Sequence, residues 1–269
     1  MSAPAVEPQR TPDGPLDMGR RGSVHARRVV VVAVVAVVGV IAVVAIVLHA
    51  DPTSAYQPAQ APFDATSPIV PAPPRFEGGV SRIGPFLRER LVGRNWHPGC
   101  PVGVDDLRHV RVSYWDFKGH VRTGPLIVHE MAARDVLGVF RRLFRAEFAI
   151  HRIKLPPRYR PPRPGDYWNS TRNRTAAFNC RPATGNPGSL SHHSYGWAID
   201  INPLQNPYVA SDGSVLRRAA KPYTDRTLRE PGMVHPGDVV VRSFARIGWE
   251  WGGDWVTLKD YMHFSLTGR

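Results

Sequence analysis

Cysteine is almost missing from this chain: Cys100 and Cys180 are the two among 269 residues, and they stand far apart. Neither belongs to a C-x-x-C pair, which excludes a cysteine zinc cage and a thioredoxin-type motif. Carboxylates are also in short supply, with 22 Asp+Glu against 35 Lys+Arg and a formal net charge of +13. The basic excess is spread along the chain as arginines and nowhere gathers into a Lys/Arg block. Charge of this kind serves solubility, or attracts a polyanion such as nucleic acid, anionic lipid or an anionic wall polymer. A zinc finger, an RNP-like aromatic strand and a basic amphipathic helix are all lacking, so nucleic acid is not expected as a partner. No internal repeat is visible.

Charge and proline are absent from Val29 to Leu48, where the chain reads VVVVAVVAVVGVIAVVAIVL. Twenty helical residues at about 1.5 Å each match a hydrocarbon layer of about 30 Å, so 29–48 is expected to be a transmembrane anchor. Arg20, Arg21, Arg27 and Arg28 precede it and Asp51 follows it. The positive side stays in the cytoplasm, which puts a disordered tail (1–28) inside and everything after the anchor outside. The run exceeds an ordinary signal-peptide core, so it is expected to remain uncleaved. Residues 49–78 are rich in Pro and Ala and form an extracytoplasmic linker, and 79–269 form the single catalytic domain. In an oxidising compartment Cys100 and Cys180 are expected to pair, the alternative being two unrelated buried thiols. A closed loop of about 80 residues would stabilise the fold by roughly 4 kcal/mol in the chain-entropy description.

Within the domain, His109–Tyr114 and Val121–Val128 flank Lys118-Gly119 and read as a β-hairpin. Ala133–Phe148 carries Val136, Phe140, Leu143, Phe144 and Phe148 at helical spacing, which predicts an amphipathic helix. Pro156–Pro164 is expected to be a surface loop. Trp197, Ile199 and Ile201 alternate with Ala198, Asp200 and Asn202, as in a strand with one apolar and one polar face. Pro236 is expected in the first turn of a helix carrying Val239, Val240, Phe244 and Ile247, and His263–Leu266 as a last strand. Strands and helices mix without a βαβ rhythm, so the fold class is α+β, an antiparallel sheet with flanking helices.

Asp200, on the polar face of its strand, faces either solvent or a site. His193 precedes it by seven residues, after a small-residue stretch that can bend back; Asp260 and His263 lie further on, three apart, beyond the aromatic Gly248–Trp255 run. Two His and one Asp would give zinc three ligands and leave a fourth position open, as catalytic sites require, and Asp260 is then the carboxylate available as general base.

The longer pattern is more specific. Ser191-His192-His193-Ser194-Tyr195-Gly196-Trp197-Ala198-Ile199-Asp200 fits S-x-H-x-x-G-x-A-x-D, and Asp260-Tyr261-Met262-His263 fits D/E-x-x-H. Together they resemble the zinc D-alanyl-D-alanine carboxypeptidases and L-alanyl-D-glutamate endopeptidases of the VanY and phage-endolysin type, over about Arg172 to Phe264. The resemblance implies one zinc ion held by His193, Asp200 and His263, Asp260 as general base, and peptidoglycan stem peptides as substrate. It also implies an arginine upstream of the first motif to hold the substrate's carbonyl or carboxylate; Arg181 is the choice, Arg172 and Arg174 follow, and all three could instead be surface charges. The family's Tyr-Arg-Ser wording is absent at this place. Ser191 would orient the site by a hydrogen bond, and His192 stands where relatives often carry glutamate; it would either perturb the site or face solvent, and solvent is expected.

The tryptophans of Gly248–Trp255 either wall the cleft, pack the core or stack on sugars. Asn169-Ser170-Thr171 and Asn173-Arg174-Thr175 have the form of glycosylation acceptors but are not expected to be used, since the substrate implies a bacterium. The expected function is therefore a membrane-anchored, extracytoplasmic zinc metallopeptidase of the D-Ala-D-Ala carboxypeptidase kind. An L-Ala-D-Glu-type endopeptidase and a non-catalytic wall-binding module remain as alternatives. The choice of scissile bond falls to loops such as Pro156–Thr175 and Asn202–Glu230.

Overall fold

Alternating apolar residues draw the first half of the domain into a sheet. A computed structural model of the chain describes residues 72–155, 173–184 and 186–267. The expected anchor at 29–48, its flanking tail, most of the linker and the Pro156–Pro164 loop lie outside these residues. No helix among the described residues is long and apolar enough to cross a membrane.

Strands β1 (Gly78–Arg82), β2 (Leu107–Trp115) and β3 (Val121–His129) form an antiparallel sheet in that order. The β2–β3 hairpin is the expected one, and its register runs from Trp115↔Val121 out to Leu107↔His129. Its turn is built around Asp116, whose Oδ1 accepts from the N–H groups of Lys118 and His120, both at 2.9 Å. Arg122 donates to Asp116 Oδ2 at 2.8 Å, and Gly119 supplies the φ of +74° that closes the turn. The Arg122 bond first, and the backbone N–H of His120 second, hold the Asp116 carboxyl well below the usual carboxylate range.

Helix α1 (Pro85–Leu91) begins on a proline, which lacks only a donor that the first turn would leave unused. Helix α2 (Glu130–Arg145) follows β3 without a loop, because His129 ends the strand and its Nδ1 accepts the Met131 N–H at 3.3 Å. The expected 133–148 window was three residues late. The helix stops where Glu147 takes φ +52° and Phe148 N–H turns back to the Leu143 carbonyl at 3.0 Å. Its buried stripe is Ala132, Ala133, Val136, Val139, Phe140, Leu143 and Phe144, one continuous helical face.

Beyond residue 173 the elements are short. Strands β4 (Pro182–Ala183) and β5 (Asn186–Leu190) make a small hairpin. Strand β6 (Ala198–Asp200) pairs later with two others, and β7 (Tyr208–Val209) lies apart from it. Helix α3 (Val239–Ala245) precedes β8 (Glu250–Trp251), β9 (Lys259–Asp260) and β10 (His263–Ser265). The second sheet has the order β6-β10-β8, and β7 pairs with β9, all antiparallel.

Two expectations need correction here. Pro236 lies outside α3: Asp238 is the cap, its Oδ1 accepting from Val240 and Val241 N–H at 2.8 and 3.0 Å. The strand expected over 197–202 is confined to 198–200; on its polar face Asp200 opens to a cleft while Asn202 lies in the interior. Asn202 is fully buried at φ +43°, donating to the carbonyls of Ala149 and Gly232 at 2.9 and 3.0 Å and accepting from His151 N–H at 2.9 Å. Buried amides satisfied in this way fix a loop crossing rather than a solvent face.

One core joins the halves. Val110, Val112, Leu126 and Val128 of the first sheet, Phe140 of α2, Phe244 of α3, and Ile199, Trp251 and Phe264 of the second sheet belong to a single buried cluster. A smaller cluster of Leu91, Leu107, Ile127 and Phe178 surrounds Cys180. Cys100 and Cys180 are bonded, with Cα atoms 5.9 Å apart, inside the usual span for a disulfide. Antiparallel sheets with helices at their sides make this the expected α+β class.

Candidate metal centre

A tight turn, a strand pair and a fixed register bring the motif residues together. Residues His192–Tyr195 form one turn of 3-10 helix capped by Ser191, whose hydroxyl accepts the His193 N–H at 3.4 Å. Gly196 ends the turn at φ +73°, and a Cβ there would lie 2.5 Å from the backbone nitrogen of His129. That same His129 N–H donates to the Gly196 carbonyl at 3.1 Å, so the end of β3 buttresses the turn. The glycine is therefore demanded twice, by conformation and by close approach. Two residues on, the chain enters β6, and the β6–β10 register sets Asp200 directly opposite His263.

The three side chains converge on one point. His193 Nε2 and His263 Nδ1 lie 3.1 and 3.2 Å from Asp200 Oδ1, and their candidate ligand atoms all fall within 4.8 Å of one another. His193 Nδ1 lies 2.6 Å from the Ala177 carbonyl oxygen, which can only accept, so Nδ1 carries a proton and Nε2 is the nitrogen turned to the carboxylate. That 3.1 Å contact calls for positive charge between the two groups, either a proton on the ring or a metal ion in its place. Burial alone would raise the Asp200 pKa, but the imidazoles of His193 and His263 outweigh it and hold the carboxylate ionised. The donor set, two imidazole nitrogens and one carboxylate with the second imidazole nitrogen of His193 bonded to a carbonyl, fits zinc. A second group, His97 with Cys100 and Cys180, does not fit, because its sulfurs are bonded to each other and offer no thiolate.

Asp260 lies beside this triad on β9, held by pairing with Tyr208. Gly252 lets the backbone of the aromatic run close onto it: a Cβ on Gly252 would meet the Asp260 carbonyl oxygen at 2.6 Å. Asp260 Oδ1 is enclosed and has no hydrogen-bond partner among the described residues. Burial chiefly, with Asp200 adding to it against the opposing pull of His263 and Arg181, pushes its carboxyl up to about 7. A carboxylate raised to near neutrality, with one enclosed oxygen left unpartnered, is suited to exchange protons with a reacting group.

A cleft of about 410 Å³ opens over these residues and is lined by His193, Asp200, Asp260, His263, Arg181 and Trp255 among others. Arg181 is thus the arginine that shares the cleft. Its Nη1 donates to the Pro182 carbonyl and the Thr184 hydroxyl at 2.9 and 3.3 Å. Arg174 does not line the cleft, and it is buried rather than a surface charge. Arg172 lies outside the described residues. His192 also departs from its expected solvent setting: it lines the cleft, half-buried, within 3.0 Å of the Thr267 hydroxyl.

The tryptophans divide their roles. Trp255 walls the cleft, its ring 5.5 Å from that of His263, while Trp251 packs in the core and donates to the Tyr261 carbonyl at 2.8 Å. Asn173 is buried and bonded to Gln205 at 2.9 Å, which leaves no room for a glycan on the folded chain.

Two contributors escaped the motif reading. Ala177 offers only a backbone carbonyl, which leaves no mark in a sequence. Ser194 occupies a variable position of the first motif, yet its hydroxyl accepts the Arg181 N–H and donates to the Arg181 carbonyl, both at 2.9 Å. With Ser191 N–H donating to the same carbonyl at 3.0 Å and Cys180 cross-linked next door, the backbone of Arg181 is fastened on both sides.

No curated protein and no solved structure matches the chain. Residues 184–266 match the family model described as D-alanyl-D-alanine carboxypeptidase, a segment that contains both motifs and all of the triad. The match supports peptidase chemistry on peptidoglycan in general. Arg181, Ala177 and Cys180 lie before the matched segment and join the site through the fold. Motifs, register and family model agree that residues 184–266 resemble the D-alanyl-D-alanine carboxypeptidase family.

Proposed function

We propose that this chain is a zinc metallopeptidase that hydrolyses peptidoglycan stem peptides, with His193, Asp200 and His263 as metal ligands and Asp260 as general base. The observation that carries the reading is the convergence of His193 Nε2, His263 Nδ1 and Asp200 Oδ1 on one point, beside the enclosed Asp260 Oδ1, which has no hydrogen-bond partner among the described residues. When bound, zinc would supply Lewis-acid polarisation of a carbonyl and activation of water near neutral pH. Asp260, raised in pKa and oriented by β9, takes the proton of the attacking water and returns it to the leaving amine. Arg181 presents positive charge in the same cleft, where it holds the substrate's carbonyl or terminal carboxylate and steadies the developing oxyanion. Trp255 shields the His263 side of the cleft.

The D-Ala-D-Ala carboxypeptidase form is preferred, with cleavage of an internal bond as the alternative. The proposal extends to location: the run at 29–48 anchors the chain, residues 1–28 stay in the cytoplasm, 49–78 act as spacer, and 79–269 work outside the cell. The disulfide between Cys100 and Cys180 favours this, since such bonds persist in oxidising compartments. The test is incubation of purified stem peptides with the full chain in neutral detergent, with and without chelator, products read by mass. Loss of a terminal D-Ala, restored by zinc and abolished in Asp260→Ala, is expected. An internal cut under the same controls would identify an endopeptidase, and no cut by folded, zinc-loaded protein would leave only a binding module.

A further inference from the structure

A second concavity, of about 440 Å³, lies away from the metal centre between the segment Pro73–Phe76 and the last turn of α2. Arg75, Arg141 and Arg145 line it together with Glu147, so three positive charges meet one negative charge and two remain over. Among the described residues no carboxylate pairs with any of the three arginines, although this fold does pair others, such as Arg88 with Asp105 and Arg108 with Glu130. All three arginines are exposed at the rim of this space and so open to an anionic ligand. The floor is aromatic: Phe76 meets Phe144 edge-on at 5.6 Å, and Trp115 stacks on Phe144 at 5.5 Å. Arg141 lies 5.5 Å from the Phe76 ring, a placement that fixes one face of the guanidinium.

We infer that this groove binds a phosphodiester-linked polyol chain, three guanidinium groups against one carboxylate favouring an anionic occupant. Guanidinium forks match phosphate oxygens two at a time, and the Phe76 ring covers one face of Arg141. The groove favours a threaded chain over a bilayer, because a planar surface cannot follow a concavity walled on two sides. Bound there, the polymer would hold the domain against the wall while leaving the cleft at His193, Asp200 and His263 free. The inference is independent of the hydrolytic reading, since none of its residues lines that cleft.

The experiment measures binding of a labelled glycerol-phosphate oligomer to the full chain in non-ionic detergent, at fixed low salt. The combined Arg75→Gln, Arg141→Gln and Arg145→Gln variant is expected to weaken binding at least tenfold. The charge-matched control Arg82→Gln, Arg218→Gln and Arg229→Gln, all exposed elsewhere, is expected to weaken it less than twofold. Should the first variant fail to fold, lysine at the same three positions keeps the charge and loses the fork, and a several-fold loss is expected. Equal losses in both glutamine variants, or unchanged binding with lysine in a case where the glutamine variant is unfolded, would overturn the groove. Phosphatidylglycerol vesicles that bind the wild type more tightly than the oligomer, and lose that binding in the groove variant, would make the occupant a lipid and overturn the polymer.

Discussion

His193 bonds the Ala177 carbonyl through Nδ1 and so has Nε2 alone for the ion, an arrangement that decides tautomer and ring orientation together. Asp260 works by the opposite means, through the absence of a partner for its enclosed Oδ1. Replacing it by asparagine keeps the shape and removes the base, so turnover should fall by about 10²–10⁴ while zinc content stays unchanged. The active form is the ionised carboxylate, so kcat/KM of the wild type should decline as pH falls, with a midpoint above the ordinary carboxylate value, and this limb should vanish in Asp260→Asn. Ser194→Ala should loosen Arg181 without touching a ligand: KM or kcat changes by about tenfold, as loss of a bond to a charged residue's frame suggests, with zinc affinity retained and partial rescue by threonine. An unchanged steady state would remove Ser194 from the positioning of Arg181. His193, Asp200, His263 and Asp260 were legible because the proposed chemistry rests on side chains at characteristic intervals. Ala177 was not, because a carbonyl belongs to every residue type.

Gly196 shows what an element needs in order to deliver such residues. Alanine there would suffer both the left-handed backbone and a contact of 2.5 Å with His129 N. Gly196→Ala should therefore lower stability by about 1–3 kcal/mol or more and reduce zinc content, read by denaturant titration and metal analysis. The hairpin turn carries its own pH dependence. Asp116 has its carboxyl depressed by Arg122 and the His120 N–H, so its contribution is present above the ordinary carboxylate pKa and is lost as pH falls through the lower folded value. Asp116→Asn should lower the melting temperature at pH 7 and make progressively less difference towards pH 2. The hairpin was readable from alternation and a Lys-Gly turn, and α2 from its apolar stripe. Their ends were not, since α2 is capped by a histidine and α3 by Asp238 rather than by the proline that drew attention. The strand around Asp200 differs in another way: Asn202, on its polar face, lies in the interior, where three hydrogen bonds satisfy it.

At the scale of the whole molecule the two halves share one core, and the disulfide links the front of the domain to the residue before Arg181. Closing 80 residues should be worth about 4 kcal/mol, so Cys100→Ser with Cys180→Ser should lower the unfolding free energy by that order. Activity should fall as well, because Arg181 loses its covalent neighbour; full turnover in verified reduced protein would contradict that link. The pairing was legible only in combination with the apolar run at 29–48, which argued for export. The contribution of β3 to the metal centre was not legible at all, because the contact between His129 and Gly196 joins segments 67 residues apart through backbone atoms. The central claim is that three side chains distant in sequence hold one zinc ion on which hydrolysis depends. Its most direct test titrates metal-free full chain with zinc while following stem-peptide cleavage and bound metal in the same samples. Cleavage should rise to a plateau at one equivalent and be lost with metal binding in His193→Ala and His263→Ala. Cleavage that persists without metal, or one tightly bound zinc that survives both substitutions, would contradict the account.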